Sequence, residues 1–316
     1  MMSLQANAVS LAALLSLSSA AYEQDFPSKP IRIVTGSAGG STDFTARQVG
    51  RALASALGQP VVIDNQTQVM QTELVLKAPA DGYTLLITGG SLWIFPLMRK
   101  TPYEPLRDFA PITAIEQSVN ALVVHPSLPP KSVSELIALA RSRPGELNYA
   151  SAGTGSTPHL AGELFKSMAK VDMVHVPYKG NAQALTDLIG GQVQLGIPSL
   201  PSVMPHIKSG RLRAIAVTSA ASSALLPGLP TVATTVPGYE CVGITAFFAP
   251  AKTPAAIIKR LNEEAVRYLR TAEAKEVFLK NGAETIGNSP DQLAAASKAE
   301  IERFGKLIKD LGLRLE

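Results

Sequence analysis

The sequence has one cysteine, Cys241, in 316 residues. A lone thiol forms no disulfide within the chain and builds no zinc site. The expected role of Cys241 is therefore that of a small buried hydrophobe. Aromatic residues make up only 5% of the chain, and the lysines and arginines are scattered rather than gathered into a run. With neither a stacking platform nor a basic stripe, nucleic acid is not an expected partner. Beyond the N-terminus no segment holds the ~18 uninterrupted apolar residues of a membrane helix. Short repeats of solenoid type and low-complexity tracts are missing as well.

What remains is apolar material for real cores, 46% hydrophobic against 17% charged residues, which is not a disordered composition. The net charge of +4 gives a mildly basic surface that favours the approach of an anionic solute, although an ordinary soluble protein has the same balance. The length exceeds that of a usual single domain, so two α/β lobes are expected. Met1–Ala21 is uncharged, apolar from Val9 to Leu17, and ends in Ser18-Ser19-Ala20-Ala21. That pattern reads as a signal peptide, although its positive n-region is missing, and implies export to the periplasm.

One phrase occurs twice, a strand followed by a glycine, serine and threonine loop and then a helix. Its first copy is Ile31–Val34 with the loop Ser37, Ala38, Gly39, Gly40, Ser41 and Thr42; its second is Leu147–Ala150 with Ala152, Thr154, Gly155, Ser156 and Thr157. Such loops offer backbone N–H groups and hydroxyls at the positive end of a helix, which suits an anion. Two of them, far apart in sequence, point to one small acid held between two lobes. Against this, Ser41 or Thr42 in the first loop and Ser156 or Thr157 in the second are ordinary helix caps. Asp43 is read as structural, since its charge would repel a carboxylate. His159 is read as a packing or capping residue near the cleft. Lys179, Ser199, Ser91 and Trp93 follow strands and are the remaining candidate ligand contacts, with a solvated turn or core packing as their alternatives.

Strand and helix patterns alternate almost throughout, as in a parallel sheet with crossover helices. Lobe 1 is expected to comprise 22–121 and 250–316, and lobe 2 122–249. The hinge candidates are Ala121–Pro126 and Phe247–Pro250. The last helix, Pro290–Leu311, carries an apolar stripe of Ile301, Phe304, Leu307, Ile308 and Leu311 that marks a packed face.

The run Lys29-Pro30-Ile31-Arg32-Ile33-Val34 with Thr42-Asp43, Pro79-Ala80-Asp81-Gly82-Tyr83, Asn148-Tyr149-Ala150-Ser151-Ala152-Gly153 and Val176-Pro177-Tyr178-Lys179-Gly180 form an ordered set. It resembles the Bug-type receptors, the extracytoplasmic solute-binding proteins of tripartite tricarboxylate transporters, over residues 27 to about 310. The resemblance implies a type II periplasmic binding-protein fold, two lobes with a ligand cleft between them, in which backbone N–H groups and hydroxyls of the two glycine loops hold a carboxylate. Three places depart from the family pattern: a shorter first loop, Gln66–Gln71 where Pro-Gly-Ala-Gly-Gly is usual, and Pro198-Ser199 without the usual aspartate.

The expected function is capture of a small organic carboxylate for a tripartite tricarboxylate-type transporter, by a monomer in transient contact with a membrane permease. No cofactor, metal or reaction is expected. The alternatives are a hydrolase or transferase using Ser156 and His159, for which no orienting acid and no Gly-x-Ser-x-Gly elbow is present, or a binding protein that feeds a sensor kinase.

Overall fold

The structure, a computed structural model, describes residues 26–314; the segment read as a signal peptide lies outside them. Strands β1 (Ile31–Thr35), β2 (Val61–Asn65), β3 (Thr84–Gly89), β4 (Phe109–Ser118), β10 (Gly243–Pro250) and β11 (Ala283–Thr285) form one sheet in the order β11-β4-β10-β3-β1-β2. Strands β5 (Ala121–Val124), β6 (Asn148–Ser151), β7 (Val174–Pro177), β8 (Leu195–Gly196) and β9 (Arg213–Val217) form the second, in the order β7-β6-β8-β5-β9. The helices are α1 (Ser41–Leu57), α2 (Gln68–Leu76), α3 (Ser91–Met98), α4 (Pro105–Asp108), α5 (Val133–Ser142), α6 (Thr157–Ala169), α7 (Asn181–Ile189), α8 (Leu200–Lys208), α9 (Ala255–Leu269), α10 (Ala272–Lys280) and α11 (Pro290–Asp310).

Local chemistry sets most element ends. Helix α1 stops at Gly58, whose φ of 68° needs a residue without a Cβ and whose N–H donates to the Ala54 carbonyl. Ser132 caps α5 by accepting from the Glu135 N–H, and Ser289 with Gln292 forms a reciprocal capping box at α11.

The sheets are mixed rather than parallel. Strand β10 runs antiparallel to both β3 and β4, and β5 is antiparallel to β8 and β9. Residues 243–249 therefore belong to the first sheet, not to lobe 2. The physical reason is burial on both faces: Ala246, Phe247, Phe248 and Ala249 are all within the core, flanked by a strand on each side. The hinge candidates shift accordingly. Ala121 already opens β5 and Phe247 lies inside β10, and the chain crosses between sheets at Val119-Asn120 and Cys241-Val242. The two crossings lie side by side through Thr218, whose N–H and hydroxyl donate to the Asn120 carbonyl while its own carbonyl accepts from the Cys241 N–H.

The largest core cluster runs from Val34, Leu86 and Trp93 of the first lobe through Phe304 and Leu160 to Tyr149 and Leu195 of the second. Two smaller clusters cover the outer faces: Ile33, Leu53, Phe247, Leu261 and Phe278 on the first sheet, and Ala150, Leu188 and Val203 on the second.

Candidate functional site

The first glycine loop leaves β1 and the turn Gly89-Gly90 leaves β3 from the same sheet edge, because the two strands are parallel neighbours with Val34 opposite Leu86. Gly40, not Ser41 or Thr42, is the N-cap of α1, and no side chain caps it. The capping role falls to Asp43: its carboxylate accepts the Gly39 N–H at 2.9 Å, Arg47 Nε at 3.1 Å and Asn65 Nδ2 at 2.9 Å. Burial works against that charge, but the hydrogen bonds from Arg47, Asn65 and Gly39 outweigh it and hold the Asp43 carboxyl below its usual range. Ser37 to Ser41 are exposed and Thr42 is half-buried.

The second loop is fixed from within its own lobe. Ser156 caps α6, accepting the His159 N–H while its hydroxyl donates to the Gly153 carbonyl at 2.6 Å. His159 lies behind the loop, where its Nδ1 accepts the Gly155 N–H at 3.1 Å. That contact requires an unprotonated Nδ1, and burial moves the imidazole in that direction, lowering its pKa. His175 stacks on His159 at 4.1 Å and on Tyr149 at 4.9 Å, and its Nε2 shares a 2.7 Å hydrogen bond with Ser151 Oγ. Below this layer Glu163 accepts from the Tyr149 hydroxyl at 2.6 Å and from Lys166 Nζ at 2.8 Å. The Thr157 N–H and hydroxyl have no hydrogen-bond partner among the described residues, and both sit at the positive end of a 13-residue helix.

Between the lobes lies a cavity of about 250 Å³. Its wall takes Gly90 and Ser91 from the start of α3, Gly155, Ser156 and Thr157 from the start of α6, Cys241 to Ile244 from a crossing, and Glu300 and Phe304 from α11. Two helix starts, one from each sheet, thus converge on one space. None of Ser37, Ala38, Gly39, Gly40, Ser41 or Thr42 is on this wall; they border the same sheet edge as Ser91. Ala152 is half-buried and Thr154 is exposed at the tip of the second loop.

Trp93 is a correction. It is 1% exposed, packs edge-on against Phe248, and donates from Nε1 to Glu300 Oε2 at 2.6 Å. Its ring borders a separate apolar cavity with Leu92, Phe109 and Phe248, because α3 turns that face inward under α11. Lys179 is exposed beside the second loop, since the Tyr178 N–H pairs with the Ser151 carbonyl. Ser199 lies at the start of α8 with its hydroxyl donating to Ser202 Oγ. The unusual segment after Asn65 becomes helix α2 from Gln68, and Gln71 is 2% exposed with Nε2 on Thr88 Oγ1.

Reading loops alone missed the walls contributed by α11. A signal was present: Glu300 stands one helical turn before Phe304, so a carboxylate shares the face that packs. Among the described residues no cluster of His, Cys, Asp or Glu is arranged to hold a metal, and no helix is long and apolar enough to cross a membrane.

Comparison with known proteins agrees with the two-sheet fold. The model of the tripartite tricarboxylate transporter family receptor matches residues 45–313. The protein BugT of Bordetella pertussis is 36% identical over 299 residues, covering 92% of each chain. A solved R. palustris protein with adipate is 38% identical with a TM-score of 0.74, covering 92% of this chain and 99% of that one. MatC from Rhodopseudomonas palustris, with bound malate, is 29% identical with a TM-score of 0.69, covering 90% and 100%.

Proposed function

Because the chain belongs to the tripartite tricarboxylate transporter receptor family, we propose that it captures a small organic carboxylate between its lobes and delivers it to a membrane permease from the periplasm. The observation that carries this reading is the convergence of the α3 and α6 starts, from different sheets, on one cavity. A carboxylate there receives charge-assisted hydrogen bonds of ~1.5–3 kcal/mol each. After association costs, three or four of them leave an affinity in the micromolar range, about −8 kcal/mol. Contacts to both lobes favour the closed arrangement, since only differential affinity shifts that equilibrium. The paired crossings at Asn120 and Cys241 suit a hinge. The relatives solved with adipate and malate support the ligand class.

The geometry favours binding over turnover. Ser156 Oγ donates to the Gly153 carbonyl, and His159 Nδ1 accepts from Gly155, so the hydroxyl and the imidazole are not paired as nucleophile and base. The functional form is read as a monomer without a cofactor. Calorimetry of the purified chain against mono-, di- and tricarboxylates tests the proposal. At least one acid is expected to bind at micromolar concentration and raise Tm; no binding by any of them overturns it.

A further inference from the structure

The cavity between α3 and α6 is chemically lopsided. Its polar end consists of the Gly90–Ser91 and Gly155–Thr157 turns, and the rest of its wall is largely Ile94, Phe95, Leu160, Val242, Ile244 and Phe304. Ile94, Leu160, Val242 and Phe304 are at most 9% exposed, so packing against the core holds this wall in place. No lysine, arginine or histidine lines the cavity. A second carboxylate on the guest would therefore meet no cation on the wall itself, and Arg303 behind it is already paired with Glu300 and Glu240.

It would find Glu300 instead. This side chain is 8% exposed, and its oxygens already accept from Trp93 Nε1 and from Arg303 at 3.3 Å. Burial biases the Glu300 carboxyl upward, while the Trp93 N–H and Arg303 pull it partly back. A guest carboxylate beside it either meets a like charge or must enter together with a proton. The other ionisable wall residue, Cys241, has its thiol pushed up to about 12 by burial and stays neutral. The space suits an apolar body: a dry cavity of ~150 Å³ holds benzene, and this one measures about 250 Å³.

Resting on the carboxylate-capture reading above, we propose that the guest is a monocarboxylic acid with an apolar aliphatic or aromatic body, not a di- or tricarboxylate. Its carboxylate sits against the starts of α3 and α6, its body lies along Leu160 and Phe304, and Glu300 rejects a second anion. The test is calorimetry with four probes: hexanoate, benzoate, adipate and malate. Hexanoate differs from adipate only in lacking the second carboxylate. The expected result is that hexanoate or benzoate binds at least tenfold tighter than adipate. Glu300→Gln, which keeps an acceptor for Trp93, is expected to narrow the gap between hexanoate and adipate about tenfold, and Phe304→Leu to weaken hexanoate several-fold. Adipate or malate binding as tightly as the monocarboxylates overturns this inference and leaves carboxylate capture standing. No binding by these four or by the wider panel overturns both.

Discussion

The stacked imidazoles beneath the second glycine loop make the stability of this lobe depend on acidity. His175 is half-buried between Tyr149 and His159. Burial, reinforced by His159 and by Lys166 and opposed by Glu163, lowers its pKa from 6.5 to about 4. In the unfolded chain the ring titrates near 6.5. Between pH 6.5 and about 4 the unfolded state therefore binds a proton that the folded state refuses, so stability is full above this window and falls as pH drops through it. The shift corresponds to at most about 3 kcal/mol, and about 2 kcal/mol once solvent screening of a half-buried ring is allowed for. His159, lowered by burial in the same sense, adds to the effect. The informative perturbation is His175→Phe, which keeps a ring in the stack and removes the proton site. At pH 7.5 the variant is expected to lose about 1 kcal/mol for the hydrogen bond to Ser151. On acidification its stability falls less steeply, and the two proteins converge or cross near pH 5. Urea denaturation at pH 7.5, 6.0, 5.0 and 4.5 reads this directly, since carboxylates elsewhere titrate in both proteins and cancel in the difference. Parallel stability curves between pH 7.5 and 5 would refute the reasoning.

Three further outcomes follow from particular contacts. Gly162→Ala places a Cβ 2.4 Å from the Tyr149 ring, so a loss of about 1–3 kcal/mol is expected; an unchanged Tm in a thermal melt would show that the ring moves freely. Trp93→Phe removes the indole donor from buried Glu300 and is expected to cost about 1–3 kcal/mol at pH 7.5. The cost shrinks at pH 5, where Glu300 takes up a proton more readily, and denaturation at the two pH values measures the difference. Asp43→Ala frees the Gly39 N–H and leaves Arg47 and Asn65 without their shared partner. Its expected loss is about 1–3 kcal/mol, accompanied by faster amide hydrogen exchange at Gly39; unchanged exchange there would show that the loop holds itself.

The parts of the fold legible in the sequence are those where local chemistry and packing agree. Ser132, Gly58 and Ser289 mark helix ends by capping chemistry that acts within a few residues. Strand β4 was not legible. Phe109–Ser118 contains Pro111 and Glu116, both poor signals for a central strand. The fold accommodates Pro111 at a register shift against Phe248, and Glu116 by a hydrogen bond from the Thr45 hydroxyl. Helix α3 hid for a similar reason, since Ser91–Met98 is apolar on every side and contains Pro96, which gives no periodicity to read. At the site, the glycine turns were visible because their composition is local. The walls from Glu300, Phe304 and the Cys241 crossing were not, because only the antiparallel return of β10 and the packing of α11 bring them to the second loop.

On the proposed carboxylate-capture reading, the same contacts leave the polar end of the cavity to act largely through its backbone. Around the second loop, the side chains with chemistry to offer, apart from the Thr157 hydroxyl, are already engaged in fixing the turn. His159 holds Gly155, Ser156 caps α6, and Glu163 serves Tyr149 and Lys166, while Asp43 holds Gly39 in the first loop, off the cavity wall. Donors such as the Thr157 N–H carry no titratable proton and have fixed directions set by the helix. An anion bound there is recognised by a dipole that is already oriented, so little reorganisation is spent on capture or release. Selectivity among acids must then come from what the rest of the molecule meets, namely Phe304, Leu160 and the carboxyl of Glu300. On this division of labour, substitutions in the turns weaken all acids alike, while substitutions on α11 change which acid is preferred.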